Sequence, residues 1–368
     1  MNRLSRYFLY FVTLSILINA ILFVPRILID ERYDGAISSM LFGVIIGGAL
    51  MYLFTSSMFK FRGQGLPEIM RQALPKSIVV PLLLLMGSVS FISGALVLIN
   101  YAFIVSRYLI PNTPIYVVLI LFVLVASFGA MQSSQTVLYS TEMILVLCLP
   151  FLLFSIFKAY TNQNMNYDEI RAMIDYSNIL PSWKSLSVST YAVTGYISLS
   201  IFNRVFADIP KLKHRWAVPC IGFSILFTAF FVPIGILGTD GVNEFIFTWV
   251  STADAIRMKY AFIERVVYIF LLVYLGISYL FAMTTWHVGS EFIRGCFSHY
   301  QPNTSSINSV LPNAISCIVF GIGTVIVGNW LGEDDLFSVS SYWMMIRSPL
   351  DICVVFSVYI LSRWRQAL

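Results

Sequence analysis

Ten apolar runs, 18 to 29 residues long, alternate with short polar stretches along the chain. They fall at about 7–29, 36–58, 78–106, 114–131, 136–157, 187–206, 216–237, 261–285, 308–329 and 342–362. A helix needs roughly 20 apolar residues to cross a bilayer. Hydrocarbon offers the backbone no hydrogen-bond partners, so each run is predicted to be a helix that satisfies itself. Leu66 to Leu74 reads as a short amphipathic helix in the second connection. The longest connection, 158–186, holds a helical stretch near Tyr167 to Tyr176. Val242 to Lys259 reads as an interfacial helix with Phe245, Phe247 and Trp249 as anchors.

Two runs look interrupted. The first contains Asn19 and then Pro25 with Arg26. The sixth concentrates Thr190, Tyr191, Thr194, Gly195, Tyr196, Ser198 and Ser200 around one glycine. Interruptions at matching places in two halves point to inverted repeats with a midplane binding site. The chain therefore reads as one integral membrane domain, with repeat one at about 7–157 and repeat two at about 187–362. Five helices per half is an odd number, so the halves run in opposite senses. Gly195 has a second reading, that it only lets two helices approach closely.

Charge supports the count of ten. One set of loops holds thirteen of the 23 Lys and Arg: Arg3, Arg6, Lys60, Arg62, Arg71, Lys76, Arg204, Lys211, Lys213, Arg215, Arg294, Arg363 and Arg365. Only Glu68, Asp208 and Glu291 oppose them there. Thirteen of the 18 acidic residues lie on the other side, and Glu142 and Asp351 fall inside apolar runs. Cytoplasmic loops keep the cationic excess, so both termini are expected in the cytoplasm.

Composition agrees: 58% of residues are hydrophobic, 11% are charged, and the mean hydropathy is +0.82. Soluble domains carry about 25% charged residues. The net charge of +5 is thus an orientation signal and not a footprint for nucleic acid. The first run is too long for a signal-peptide core and lacks a small-residue cleavage site, so it is expected to stay as a helix. Cys148, Cys220, Cys296, Cys317 and Cys353 form no C-x-x-C pair and read as small buried residues. His214, His287 and His299 lack ligand spacing, so no metal site is assigned.

Several polar residues stand inside the apolar runs. Glu142 is either a proton-coupling carboxyl or a residue near the inner helix end that meets head groups. Arg347 and Asp351, near the outer end of the tenth run, are four apart and able to pair, as a structural link or a gate, with Pro349 between them. Glu264 and Arg265 open the eighth run. Ser93 and Asn100 are seven apart in the third run and share a face, toward a ligand or another helix. Tyr274 and Tyr279 offer hydroxyls from the eighth.

Ile18 to Leu28 (INAILFVPRIL) resembles the first helix of amino acid–polyamine–organocation transporters. ILGTDGVNEF and AFIERVVYIFLLVYLGISYL, between Ile236 and Leu280, resemble the spore germination permease family, the integral B subunits of endospore germinant receptors. The resemblance implies an all-α, LeuT-like fold of ten helices in a 5+5 inverted repeat. It also implies a ligand site between the broken first and sixth helices, lined by the third and eighth. Matching positions are Asn19, Ala20, Thr194, Gly195, Tyr196 and Ser198, with Ser93 and Tyr274 nearby.

The sequence departs from that pattern twice. Ile18, Asn19 and Ala20 stand where transporters of this superfamily have G-x-G, and Ile197 stands where the sixth helix usually has an acid. Glycines at such a break expose backbone N–H groups to a carboxylate, an approach that Ile18 and Ala20 obstruct. The resemblance implies a nutrient-sensing subunit in the spore inner membrane. It would bind an amino acid or sugar and work with a receptor A subunit and a lipoprotein C subunit. An ion-coupled amino acid permease, with Glu142 as coupling group, and a non-binding scaffold subunit are the alternatives. No hydrolytic or redox constellation points to an enzyme, and no cofactor is implied.

Overall fold

The structure is a computed structural model that describes residues 3–206, 217–256, 266–297 and 307–367. The charges and histidines read above at Asp208, Lys211, Lys213, His214, Arg215, Lys259, Glu264, Arg265 and His299 lie outside the described residues. Every regular element among the described residues is helical. In chain order they are α1 (Arg3–Ile21), α2 (Val24–Asp30), α3 (Ala36–Met58), α4 (Leu66–Ala73), α5 (Lys76–Tyr108), α6 (Ile115–Ala130), α7 (Ser134–Tyr160) and α8 (Tyr167–Ile174). Then come α9 (Trp183–Tyr191), α10 (Leu199–Phe202), α11 (Ala217–Leu237), α12 (Thr248–Ala255), α13 (Val266–Arg294), α14 (Ile307–Trp330) and α15 (Glu333–Ala367).

Seven of these helices are long and apolar enough to cross a membrane, and α1 with α2 makes an eighth span bent by 48°. The protein is therefore an all-α, multi-pass membrane protein. The bend falls at Leu22 and Phe23, one turn after the position that alignment with G-x-G suggests. Leu22 N still donates to Ile18 O at 3.0 Å, so α1 runs intact through Asn19 and Ala20. Pro25 causes the break, because it lacks an N–H and its ring clashes with the preceding turn.

The sixth run is interrupted as expected. α9 stops at Tyr191, and the chain tightens into 3-10 turns at Thr194–Ser198 and Asn203–Val205, on either side of α10. Its start is earlier than expected because Ser182 caps it, accepting from Ser185 N at 3.1 Å.

α13 is the most enclosed span, with 67% of its apolar window buried, whereas α7, at 28%, is largely lipid-facing. α5 crosses α13 closely, and the fully buried Trp286 donates from Nε1 to Phe91 O at 3.0 Å to join them. Two helix ends differ from the sequence reading. α13 continues to Arg294, beyond the expected end at 285, and α15 begins at Glu333, well before 342. Glu333, Asp334 and Asp335 fill the first turn of α15, where acidic groups complement the helix dipole. The longer α15 moves Arg347 and Asp351 from a helix end to mid-helix.

Of the stretch expected as an interfacial helix, α12 and the preceding Phe247 pack inside the protein, while Phe245 is exposed. Phe247 and Trp249 of α12 are each only 6% exposed. Trp249 donates to Ala229 O at 3.1 Å and stacks on Phe270. An indole whose N–H finds a protein partner gains nothing from the head-group region. α4 and α8 form where the sequence placed them.

Candidate functional site

The two interrupted segments meet. Ser15 of α1 donates to Ala192 O, just past α9, at 3.4 Å. Asn19 turns back along its own helix and donates to Ser15 O at 2.8 Å. Gly195 lies directly against α1: a Cβ there would stand 2.5 Å from Phe11 O and 2.6 Å from Ser15 Cβ. Glycine is needed at this crossing because no side chain fits. Thr194 Oγ1 donates to Tyr191 O at 2.7 Å, which absorbs one carbonyl freed by the interruption. Asn19, Ala20, Thr194 and Tyr196 are buried, and Gly195 and Ser198 are half-buried.

Ser93 and Tyr274 divide between two settings. Tyr274 Oη donates to Asn100 Oδ1 at 3.1 Å, and its ring meets Tyr101 edge-on. Tyr101 in turn donates to Leu271 O at 2.8 Å, so this group ties α5 to α13. Ser93 instead accepts from Arg347 Nη1 at 2.6 Å. Arg347 Nε also donates to Asp351 Oδ1 at 2.8 Å, and its guanidinium lies 5.7 Å from the Tyr191 ring centre. The pair forms although Pro349 lies between its members in α15. Tyr196 is within electrostatic reach of both charges. One ion pair thereby connects α15 to α5 and to the interrupted sixth span.

A cavity of about 90 Å³ lies between α4, α5 and α15. Ser90, Arg347, Asp351 and Ser357 are its polar lining residues, and apolar side chains such as Met86, Phe292 and Val354 provide most of the wall. Ile197, the residue in place of the usual sixth-helix acid, shares this wall with Asp351. The mid-helix position of Asp351 was hidden in the sequence, because α15 starts at Glu333, nine residues before the apolar run begins.

A second ionic cluster was not anticipated. Arg204, Glu291 and Arg294 read as loop charges, yet all three are buried. Glu291 accepts from Arg204 Nη1 at 2.5 Å and from Arg294 Nη1 at 2.8 Å, and Asn313 Nδ2 lies 3.4 Å from Oε1. Arg204 also reaches Glu68 of α4 at 3.7 Å. Next to it, Asn203 donates to Phe61 O at 2.7 Å and Gln64 O at 2.8 Å. One turn before Glu291, His287 sits between the Ala130 carbonyl at 2.8 Å and the Ser134 hydroxyl at 2.9 Å. The carbonyl requires the proton on Nδ1, so Nε2 accepts from Ser134. The end of the sixth span is thus tied to α4, α13 and α14.

Glu142 is half-buried on α7, with Tyr10 Oη of α1 3.4 Å from its Oε1. At the opposite end of the bundle, Arg26 donates to the carbonyls of Val242, Asn243 and Phe245 at 3.2 to 3.3 Å and pairs with Asp30 at 3.2 Å. With Lys184 and Asp334 it lines a polar vestibule of about 300 Å³.

No curated protein matches the chain. A family model described as spore germination protein matches residues 3–325, which include both interrupted segments and both partners of Glu291 on the sixth span and α13. With nearly the whole helical bundle matched, the chain belongs to the spore germination protein family.

Proposed function

We propose that this protein is the membrane subunit of a nutrient germinant receptor, which senses a small molecule in the spore inner membrane. The observation that carries this reading is the direct contact of two interrupted spans, with Ser15 bonded to Ala192 O and Gly195 seated on α1. Interrupted helices that touch are the usual seat of a ligand in inverted-repeat membrane proteins. On this reading α6 and the composite sixth span join the eight longer spans to give ten. They fold as two inverted, LeuT-like halves with both termini cytoplasmic. Receptor A and lipoprotein C subunits would transmit the signal. A ligand shifts such a bundle only through its different affinity for two conformations.

The second reading, an ion-coupled amino acid permease, draws on the half-buried Glu142 linked to α1 by Tyr10. Proteoliposomes separate the two. A receptor subunit binds its ligand without accumulating it, and Glu142→Gln spores keep their response to nutrient within a few fold. Concentrative uptake of a labelled amino acid, abolished by Glu142→Gln, would favour the permease.

A further inference from the structure

A groove of about 510 Å³ opens on the lipid-facing side of the bundle, between α5, α6, α7 and α13. Leu121, Leu147, Phe151 and Leu272 form its rim and are 46% to 68% exposed. Tyr101 and Gly276 line its inner side. A Cβ at Gly276 would stand 2.9 Å from Cys148 Sγ, so α7 and α13 close against each other there. The hydroxyls around the groove are directed into the protein: Tyr101 donates to Leu271 O at 2.8 Å, Tyr279 donates to Val125 O at 3.1 Å, and Ser278 Oγ is buried. A polar nutrient would find nothing to orient it here, because small-molecule sites place a few polar groups for that purpose.

α7 carries the groove face onward to a cation. Leu147, Phe151, Phe154 and Lys158 follow at spacings of four, three and four, so they share one side of the helix. Lys158 stands in the last turn of α7, and its Nζ lies 5.8 Å from the Phe154 ring centre. The ammonium is thus laid back along the groove face, at a helix end where lysines meet lipid head groups. Phe151 is about 10 Å below Lys158 along α7, and Ile144, at the far end of the groove, is about 21 Å below it. A lipid tail reaches about 15 Å from its head, half the hydrocarbon thickness. A tail whose head sits at Lys158 therefore enters the groove near Phe151 and ends inside it. A partner's helix fits the space poorly. A helix about 10 Å across fills roughly 80 Å³ per ångström of its length, so the groove would admit little more than one turn. Helix pairs in membranes also approach over small residues, whereas this rim is Leu and Phe. We infer that the groove binds one acyl chain of an anionic phospholipid whose phosphate sits on Lys158.

The full-length chain in phosphatidylcholine nanodiscs tests the inference, with phosphatidylglycerol or diacylglycerol carrying a photoactivatable diazirine in the middle of one acyl chain. Peptide mapping should place the phosphatidylglycerol label on α7 and α13 at the groove, more strongly than on Ile318 and Ile322 of α14, which are 60% and 56% exposed. Lys158→Ala should lower that labelling about fivefold, the effect of about 1 kcal/mol for one lysine beside an anionic lipid surface. The same variant should leave labelling by diacylglycerol, which has no phosphate, unchanged. Leu275→Trp should fill the groove and remove the label from both probes; should it fail to fold, Leu147→Trp, from a more exposed position, replaces it. Labelling no stronger at the groove than on α14 would mean ordinary contact with bulk lipid and would overturn the inference. So would full phosphatidylglycerol labelling of Lys158→Ala, or labelling that survives in a folded groove-filling variant. An unlabelled groove in a chain that native mass spectrometry shows as a dimer would give the groove to a second copy and overturn it as well.

Discussion

Two buried ionic clusters in this bundle look alike in composition and differ in how fully their carboxylates are bonded. Around Glu291 both carboxylate oxygens are occupied, by Arg204 on one side and by Arg294 and Asn313 on the other. Around Asp351 one oxygen is bonded to Arg347 and the other is buried without a hydrogen-bond partner. The first cluster joins segments far apart in the chain, Arg204 and Glu291 being 87 residues apart. The second couples neighbours four apart on one helix and reaches the rest through Ser93 and Tyr191. A buried carboxylate with both oxygens bonded is held in one arrangement, whereas a buried oxygen without a partner carries a desolvation cost. The comparison assigns a latch between distant segments to the Glu291 cluster and a local link of α15 to α5 and the sixth span to the Arg347–Asp351 pair.

The largest effect should come from the latch. Glu291→Gln leaves two buried guanidinium groups without their shared carboxylate, and breaking such a pair costs about 3–5 kcal/mol. Thermal unfolding in nanodiscs should register this as a pronounced loss. A change of under about 1 kcal/mol would put the cluster among links that contribute little.

Gly195→Leu comes next. The α1 backbone occupies the space that a side chain would enter, and overpacking of this kind costs about 1–3 kcal/mol. The variant should accumulate poorly in the membrane, and Gly195→Ala should be milder. Normal folding of Gly195→Leu with selective loss of ligand response would mean instead that residue 195 faces an open site.

Removing both members of the other cluster should hardly affect stability. Replacement of a whole buried ion pair by hydrophobic residues of similar volume is often neutral, so Arg347→Met with Asp351→Leu should unfold within about 1 kcal/mol of the wild type. A loss as large as that of Glu291→Gln would erase the distinction between the clusters.

The smallest effect concerns the loops. Glu169 of α8 accepts from the N–H and hydroxyl of Thr239, which holds its carboxyl below the ordinary value of 4.5. A lowered folded-state pKa means that the contact stabilises above the unfolded value and is lost as pH falls through the folded one. The protection factor of the Thr239 amide should therefore fall as pH drops below about 4.5 and stay constant above it. Glu169→Gln should remove that dependence.

The apolar runs made the helices legible: α3 has the bounds read from the sequence, and the interruptions of the first and sixth spans were visible as Pro25 and as a polar stretch around Gly195. Helix ends were harder. Arg204, Glu291 and Arg294 look like loop charges until they are seen to neutralise one another, and no local pattern announces a partner 87 residues away. The i, i+4 spacing of Arg347 and Asp351 was readable, but their depth was not, because it depends on where α15 starts. Gly195 is necessary for a reason that only the neighbour's backbone supplies.

The most direct test of the comparison sets the thermal unfolding of Glu291→Gln beside that of Arg347→Met with Asp351→Leu, both in nanodiscs. The account predicts a loss of about 3–5 kcal/mol for the first and of under about 1 kcal/mol for the second. Equal losses would contradict it.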